Sequence, residues 1–539
     1  MLDWRGLLAL IVLGLLFALP VSYMFHTSAA SMEESSVLEY PVLALHGELP
    51  TLSYQSVYGP ANAWVPAAAM WLFGVSVDVE RGVGLLYRAL LLGSLYALIR
   101  PRWGRAAGVV SASLCWFMLA SFAPLAYSWL GGTAFALAGL ACLLNADTSS
   151  RWRTHLLMAG GFLTAVGLLF RPDLIVAVVL SSVIFFLGPG RRCLRNWIVG
   201  FGVGLVPALV FVAAAGPVNA FRGLVIDPLE MAKGRSLPIP PNPSRVSDYF
   251  GRLDVALSAG KRWPGLAPAA QTFWLFWTTV ASLVLAVAGG LRARVATPQR
   301  GRLLVISAFA VGLAPEMLQR LDVTHVLLVG SIWVALVPVA TFELLSVGGS
   351  PKRPLVFVPV GFAAAVFVGC IGSSYVSQAD YRELPLPGHV PATTSVTNDG
   401  RTLPVGSRVL ATQLRALLAV VNRETQPGQR LFVGPSDLRF TNYNETYLYW
   451  LLPKLTPATY YLEMNPGLAN RPGSRLAADV ASAQWLVLSH RYAGWNEPNG
   501  SVVAGSDAAN KVVAEDFCVR SRQDPYEVLE RCHGAASLK

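Results

Sequence analysis

The chain has 539 residues, of which 54% are hydrophobic and only 14% charged. That balance excludes an ordinary soluble globular enzyme and describes a polytopic membrane protein. The net charge of +11 sits mostly in short clusters between apolar runs, so it reads as membrane topology and not as a nucleic-acid surface.

In chain order the apolar segments predict eleven spans, near 6–25, 81–99, 106–123, 127–145, 154–170, 173–188, 196–216, 268–290, 302–315, 325–345 and 354–373. The first follows only Arg5 and no small-residue cleavage site, so it reads as a retained signal anchor. Residues 61–75 are apolar but short and interrupted by Pro66, and are expected to form an interfacial helix.

The cations support this division. Arg100, Arg102 and Arg105 follow the second span, Arg151 and Arg153 the fourth, and Arg191, Arg192 and Arg195 the sixth. Arg292, Arg294, Arg300 and Arg302 follow the eighth, and Lys352 and Arg353 the tenth. All fall on the cytoplasmic side, with Arg5, if the N-terminus is inside and the C-terminus outside. Arg88 lies within a span, seven residues from Arg81 and on roughly the same face. A buried partner and snorkelling to the interface are its two readings.

Three pieces then lie outside: residues 26–80, residues 217–267, and the tail 374–539. The expected fold is a polytopic α-helical membrane domain over 1–373 and a small extracytoplasmic α/β domain over 374–539. In the tail, 430–434, 485–489 and 511–517 read as strands, 404–423 and 474–483 as helices, and 385–405 as an exposed linker. Cys518 and Cys532 both lie in the tail, where an oxidising compartment predicts a disulfide between them. The histidines are scattered and no C-x-x-C occurs, so the sequence supports no metal or other cofactor.

The first loop, HTSAASMEESSVLEYPVLALHGELPTLSYQSVYGP over residues 26–60, holds Glu33, Glu34, Glu39 and Glu48 and has no cation before Arg81. Leu38, Val42 and Leu45 form an apolar stripe, predicting a helix from Glu34 to about His46 that lies on a membrane surface. An acidic pair after the first span, a helix ending in G-E-L-P, and then Y-G-P resemble the first extracytoplasmic loop of the GT-C glycosyltransferases. The protein O-mannosyltransferases and the lipid A aminoarabinose transferases are among these enzymes.

The resemblance implies a membrane glycosyltransferase. Its donor is a polyprenyl-phosphate sugar, and its acceptor a cell-envelope glycan, lipid or protein on the extracytoplasmic face. Such a transfer needs a carboxylate to take the acceptor proton and cations to hold the departing phosphate. The family pattern puts the base at Glu33 or Glu34 and a recurring acid at Glu39, with Glu where the family usually has Asp. Tyr58 of the Y-G-P motif, like Glu39, is a substrate-binding candidate.

Arg320, Asp322 and His325 lie close together in sequence at the mouth of the tenth span. They read either as a phosphate clamp or as an interfacial anchor. Lys233 and Arg235, before the run LPIPP, are candidates for covering the phosphate or gating the acceptor. Arg171 and Asp173, flanking Pro172, read as a structural turn. The competing class is a lipid-linked-sugar transporter or an envelope assembly subunit. A transporter would place polar groups deep in several spans, whereas here the charges crowd the outer loops.

Overall fold

The computed structural model describes residues 4–29, 32–120, 123–146, 152–187, 193–239, 268–296, 301–345, 393–441, 443–494 and 497–532. The chain divides into two compact units. One comprises Met1–Phe25, Gly84–Val210 and Pro238–Val390; the other comprises His26–Val83, Phe211–Leu237 and Pro391–Lys539.

Among the described residues, eight helices are long and apolar enough to cross a membrane, and Pro172–Phe186 is a shorter apolar helix. One of the eight, Val77–Leu119, has 43 residues and would be roughly 65 Å long if straight, about twice a bilayer core. It is broken at Gly104, whose φ of 88° no ordinary helical residue adopts, shortly after Pro101. Its two arms correspond to the second and third expected spans. The expected span at 354–373 and Cys370 lie outside the described residues.

The first unit is held by close helix approach through small residues. The helices Ser128–Ala146 and Arg153–Phe170 run antiparallel, with Gly132 against Gly167 and Gly139 against Gly160. A Cβ on Gly139 would lie 2.3 Å from Thr164 Oγ1, so only glycine fits. Between lipid tails no hydrophobic force drives helices together, and such backbone contact supplies the attraction instead. Val203, Leu209 and Val210 stay exposed, as residues facing lipid must. Arg302 ties three helix ends, donating to the carbonyls of Leu98 and Leu144 and to Asn145 Oδ1.

The second unit contains two sheets. Strands β1 (Thr394–Asn398) and β2 (Arg401–Val405) form a hairpin whose turn, Asp399 and Gly400, has positive φ at both positions. Val396, Leu403 and Val405 are buried, so residues 394–405 form a hairpin with one face in the core and not the exposed linker expected. Strands β3 (Arg430–Pro435), β4 (Thr456–Pro457), β5 (Trp485–Ser489), β6 (Phe517–Gln523) and β7 (Tyr526–Arg531) form one sheet in the order β4-β3-β5-β7-β6. Residues 511–516 are the end of a helix, Ala508–Asp516, and not the strand expected. Cys518 and Cys532 are disulfide-bonded.

Alternation along the strands supplies both faces of this sheet. Leu431, Val433 and Val487 point to one core, and Phe432, Leu486 and Leu488 to the other. The first core also contains Leu38, Tyr40 and Val42 of the helix Met32–Leu45. That helix was expected on a membrane surface. It is instead enclosed, with even Ser35 and Ser36 buried, between the helices Ala61–Phe73 and Tyr447–Leu451. Ser35 and Ser36 are small and Glu34 is paired with Arg81, which lets the polar side of the helix pack as well.

Candidate active site

In the second unit, the acidic pair at the start of the helix Met32–Leu45 is split in environment. Glu34 is buried and held by Arg81, with Nε 2.7 Å from Oε1 and Nη2 3.0 Å from Oε2. Arg81 also donates to the Thr27 carbonyl at 3.0 Å, closing the turn that precedes the helix. Glu33 is half-buried in the first helical turn, where backbone N–H groups favour a negative charge. Burial raises the Tyr492 phenol, and the charges of Glu445 and Glu33 add to the effect against Arg491. Glu33 therefore lies within electrostatic reach of the loop that follows β5.

Glu39 faces the interior. Burial raises its pKa to about 7, and Arg401, 4.0 Å away, only partly offsets this. Arg401 itself stacks over the Trp450 ring at 4.7 Å and donates to the Trp450 carbonyl. Tyr58 is half-buried against the same core, near Tyr40.

The next residue, Tyr40, begins a buried chain. Its hydroxyl donates to Glu463 Oε1 at 2.7 Å, and Glu463 Oε2 accepts from Asn465 Nδ2 at 3.0 Å. Asn465 Oδ1 in turn accepts from Arg235 Nη1 at 2.5 Å. The helix Asp227–Arg235 is therefore linked to the helix of Glu33 through one carboxylate. Lys233 sits on the exposed side of that helix and pairs with Glu230 at 2.8 Å. Nothing in the spacing of Glu463 or Asn465 marks them in sequence; only the fold brings them to Tyr40.

In the first unit, Asp322 caps the helix Val323–Ala335 by accepting from the His325 backbone N–H at 2.9 Å. The same carboxylate takes Arg320 Nε at 2.7 Å and contacts His325 Nδ1 at 2.8 Å. These partners hold Asp322 well below the usual carboxylate range, against the effect of burial. The three residues thus form one cluster.

Arg171 does more than close a turn. It binds Asp173 at 2.8 Å and 2.9 Å and also grips buried Glu316, which Gln319 contacts as well. Glu316 was missed, although a carboxylate in an apolar span is itself a signal. Arg88 is fully buried and donates to the carbonyls of Gly84, Ala123 and Leu125. It has the buried partner that the sequence left open, and it does not snorkel.

The architecture, an enclosed acidic helix in one unit and a bundle of apolar helices in the other, is shared with solved structures. The structure is similar to that of ArnT from Cupriavidus metallidurans bound to undecaprenyl phosphate, with a TM-score of 0.57, 14% identity, and 99% of each chain covered. It is also similar to the archaeal oligosaccharyltransferase AglB from Archaeoglobus fulgidus in complex with an inhibitory peptide and a dolichol-phosphate. That comparison has a TM-score of 0.52 and 11% identity, and it covers 100% of this chain and 75% of the other. No family model and no curated protein matches the sequence.

Proposed function

We propose that this protein is a membrane glycosyltransferase that moves a sugar from a polyprenyl-phosphate donor to a hydroxyl of a cell-envelope glycan, lipid or protein. The observation that carries the proposal is the division of the acidic pair. Glu34 is committed to Arg81, which leaves Glu33 as the accessible carboxylate of the two. The GT-C fold, shared with two proteins bound to polyprenyl phosphates, supports the donor class.

In the proposed step, a Glu33 oxygen takes the acceptor hydroxyl proton and the hydroxyl oxygen bonds to the anomeric carbon. The bond from that carbon to the phosphate oxygen breaks, and its electron pair leaves on the polyprenyl phosphate. Attack opposite the leaving group inverts the anomeric centre. Arg320 is the proposed phosphate ligand, oriented by Asp322 with His325 as a further donor. Arg235, held by Asn465, and Lys233 are proposed to cover the donor. No metal is assigned to the step.

The proposed orientation has the N-terminus in the cytoplasm and the second unit outside. The test is release of polyprenyl phosphate from a panel of hexosyl and pentosyl polyprenyl phosphates by the purified full-length protein. Release that depends on Glu33 supports the proposal. Donor movement across proteoliposomes without release would make the protein a transporter.

A further inference from the structure

Strands β3 and β5 are parallel neighbours, and the chain leaves their carboxyl ends toward opposite edges of the sheet. From β3 it goes to β4 on one edge; from β5 it goes to β6 and β7 on the other. Where successive connections diverge in this way, a crevice opens at the strand ends, and open α/β sheets bind ligands there.

The residues at this point have the chemistry of a site. The loop after β3 brings Tyr443 and Glu445, the loop after β5 brings Arg491 and Tyr492, and β7 begins with Tyr526. Glu445 is 2% exposed. Its Oε1 accepts from Tyr447, from Tyr526 at 2.9 Å and from Arg491 Nη1 at 3.4 Å. Its Oε2 accepts from no described residue. A buried charged oxygen left without a partner in a native structure calls for an explanation, and a ligand is one.

Arg491 is only partly buried, spends Nη1 on Glu445 and Tyr447, and lies over the Tyr492 ring, 5.3 Å from its centroid; its Nε and Nη2 donate to no described residue. Tyr443 and Tyr492 stack, with ring centroids 4.8 Å apart and planes inclined by 30°, and both residues are partly buried.

We propose that this crevice is a saccharide-binding subsite. The tyrosine pair takes the C–H face of a sugar ring, and Arg491, fixed by Glu445, donates to its hydroxyls. Charge argues for a neutral ring and against a phosphate, because Glu445 already offsets Arg491. The subsite is also built into the scaffold of the Glu33 helix. Asn444 and Thr446, on either side of Glu445, both donate to the Leu462 carbonyl, beside the Glu463 that Tyr40 holds. Calling the bound saccharide the acceptor rests on the transferase reading; binding itself does not.

The experiment is saturation-transfer NMR on the full-length protein in detergent. The probes are neutral mannan, arabinan and glucan fragments, with inorganic phosphate as competitor. At least one fragment is expected to show saturated ring protons. That signal should survive in Tyr492→Phe, fall at least tenfold in Tyr492→Ala and Arg491→Gln, and be unaffected by phosphate. If Tyr492→Ala does not fold, Tyr443→Ala takes its place.

No saturation from any fragment, equal saturation in the folded variants, or displacement by phosphate would overturn the subsite. Binding that persists in a Glu33→Gln protein without transfer separates this proposal from the fate of the catalytic one.

Discussion

Arg81 grips Glu34 through two hydrogen bonds, and both side chains are almost wholly buried. A buried ion pair is strongly sensitive to removal of one partner, which leaves the other charge without compensation, at a cost of about 3–5 kcal/mol. Arg81→Ala and Glu34→Ala should therefore lower the thermal midpoint and the folded yield sharply. Arg81→Met combined with Glu34→Leu should recover much of the loss. Thermal unfolding of the purified variants checks this, and single and double variants of equal stability would contradict it.

Glu39 gives a pH signature. Its pKa is raised to about 7 by burial, so between about 4.5 and 7 the folded protein holds a proton that the unfolded chain has released. Stability from this group is full below about 4.5 and is lost as pH rises through 7, up to about 3 kcal/mol in all. Glu39→Gln, which stays neutral, should gain in thermal midpoint relative to the parent as pH goes from 5 to 8. A constant difference across that range would place the titration elsewhere.

The spans and the acidic helix were legible in the sequence for physical reasons. A chain in lipid must satisfy its backbone within each helix, so length and hydropathy alone reveal spans such as Ser128–Ala146. The different environments of Glu33 and Glu34 were not legible, because they depend on Arg81, which pairs with Glu34 from 47 residues further along the chain. Tyr40, Glu463 and Asn465 escaped for the same reason. The hairpin at Asp399 and Gly400 escaped for a different one: its short strands carry a Pro and many polar residues, which resemble a linker. The Leu38 stripe predicted the helix but not its burial. Periodicity marks one apolar face and does not show what packs on the others.

Arg320 separates binding from anchoring. As a phosphate ligand, Arg320→Ala should raise the donor KM at least tenfold and lower turnover, with Arg320→Lys rescuing only in part because it cannot form a bidentate clamp. Asp322→Ala removes a helix cap and should in addition lower stability by about 1 kcal/mol. Unchanged donor affinity in folded Arg320→Ala would leave Arg320 as an anchor.

The disulfide and the topology share a test. Cys518 and Cys532 should be blocked to thiol labelling in intact cells, and reduction should cost the folded protein about 2–4 kcal/mol. A reporter active only in the cytoplasm, fused after Lys539, should be silent. A strong signal, or free thiols in the native protein, would reverse the proposed orientation.

The most direct measurement compares Glu33→Gln with Glu34→Gln for polyprenyl phosphate release, normalised to folded protein. Gln keeps the size and hydrogen bonding of each side chain and removes only its capacity to accept a proton. Glu33→Gln is expected to fold normally and to lose at least 100-fold in turnover. Glu34→Gln should lose folded yield yet retain turnover per folded molecule. Normal turnover in Glu33→Gln, or loss confined to well-folded Glu34→Gln, would contradict Glu33 as the base.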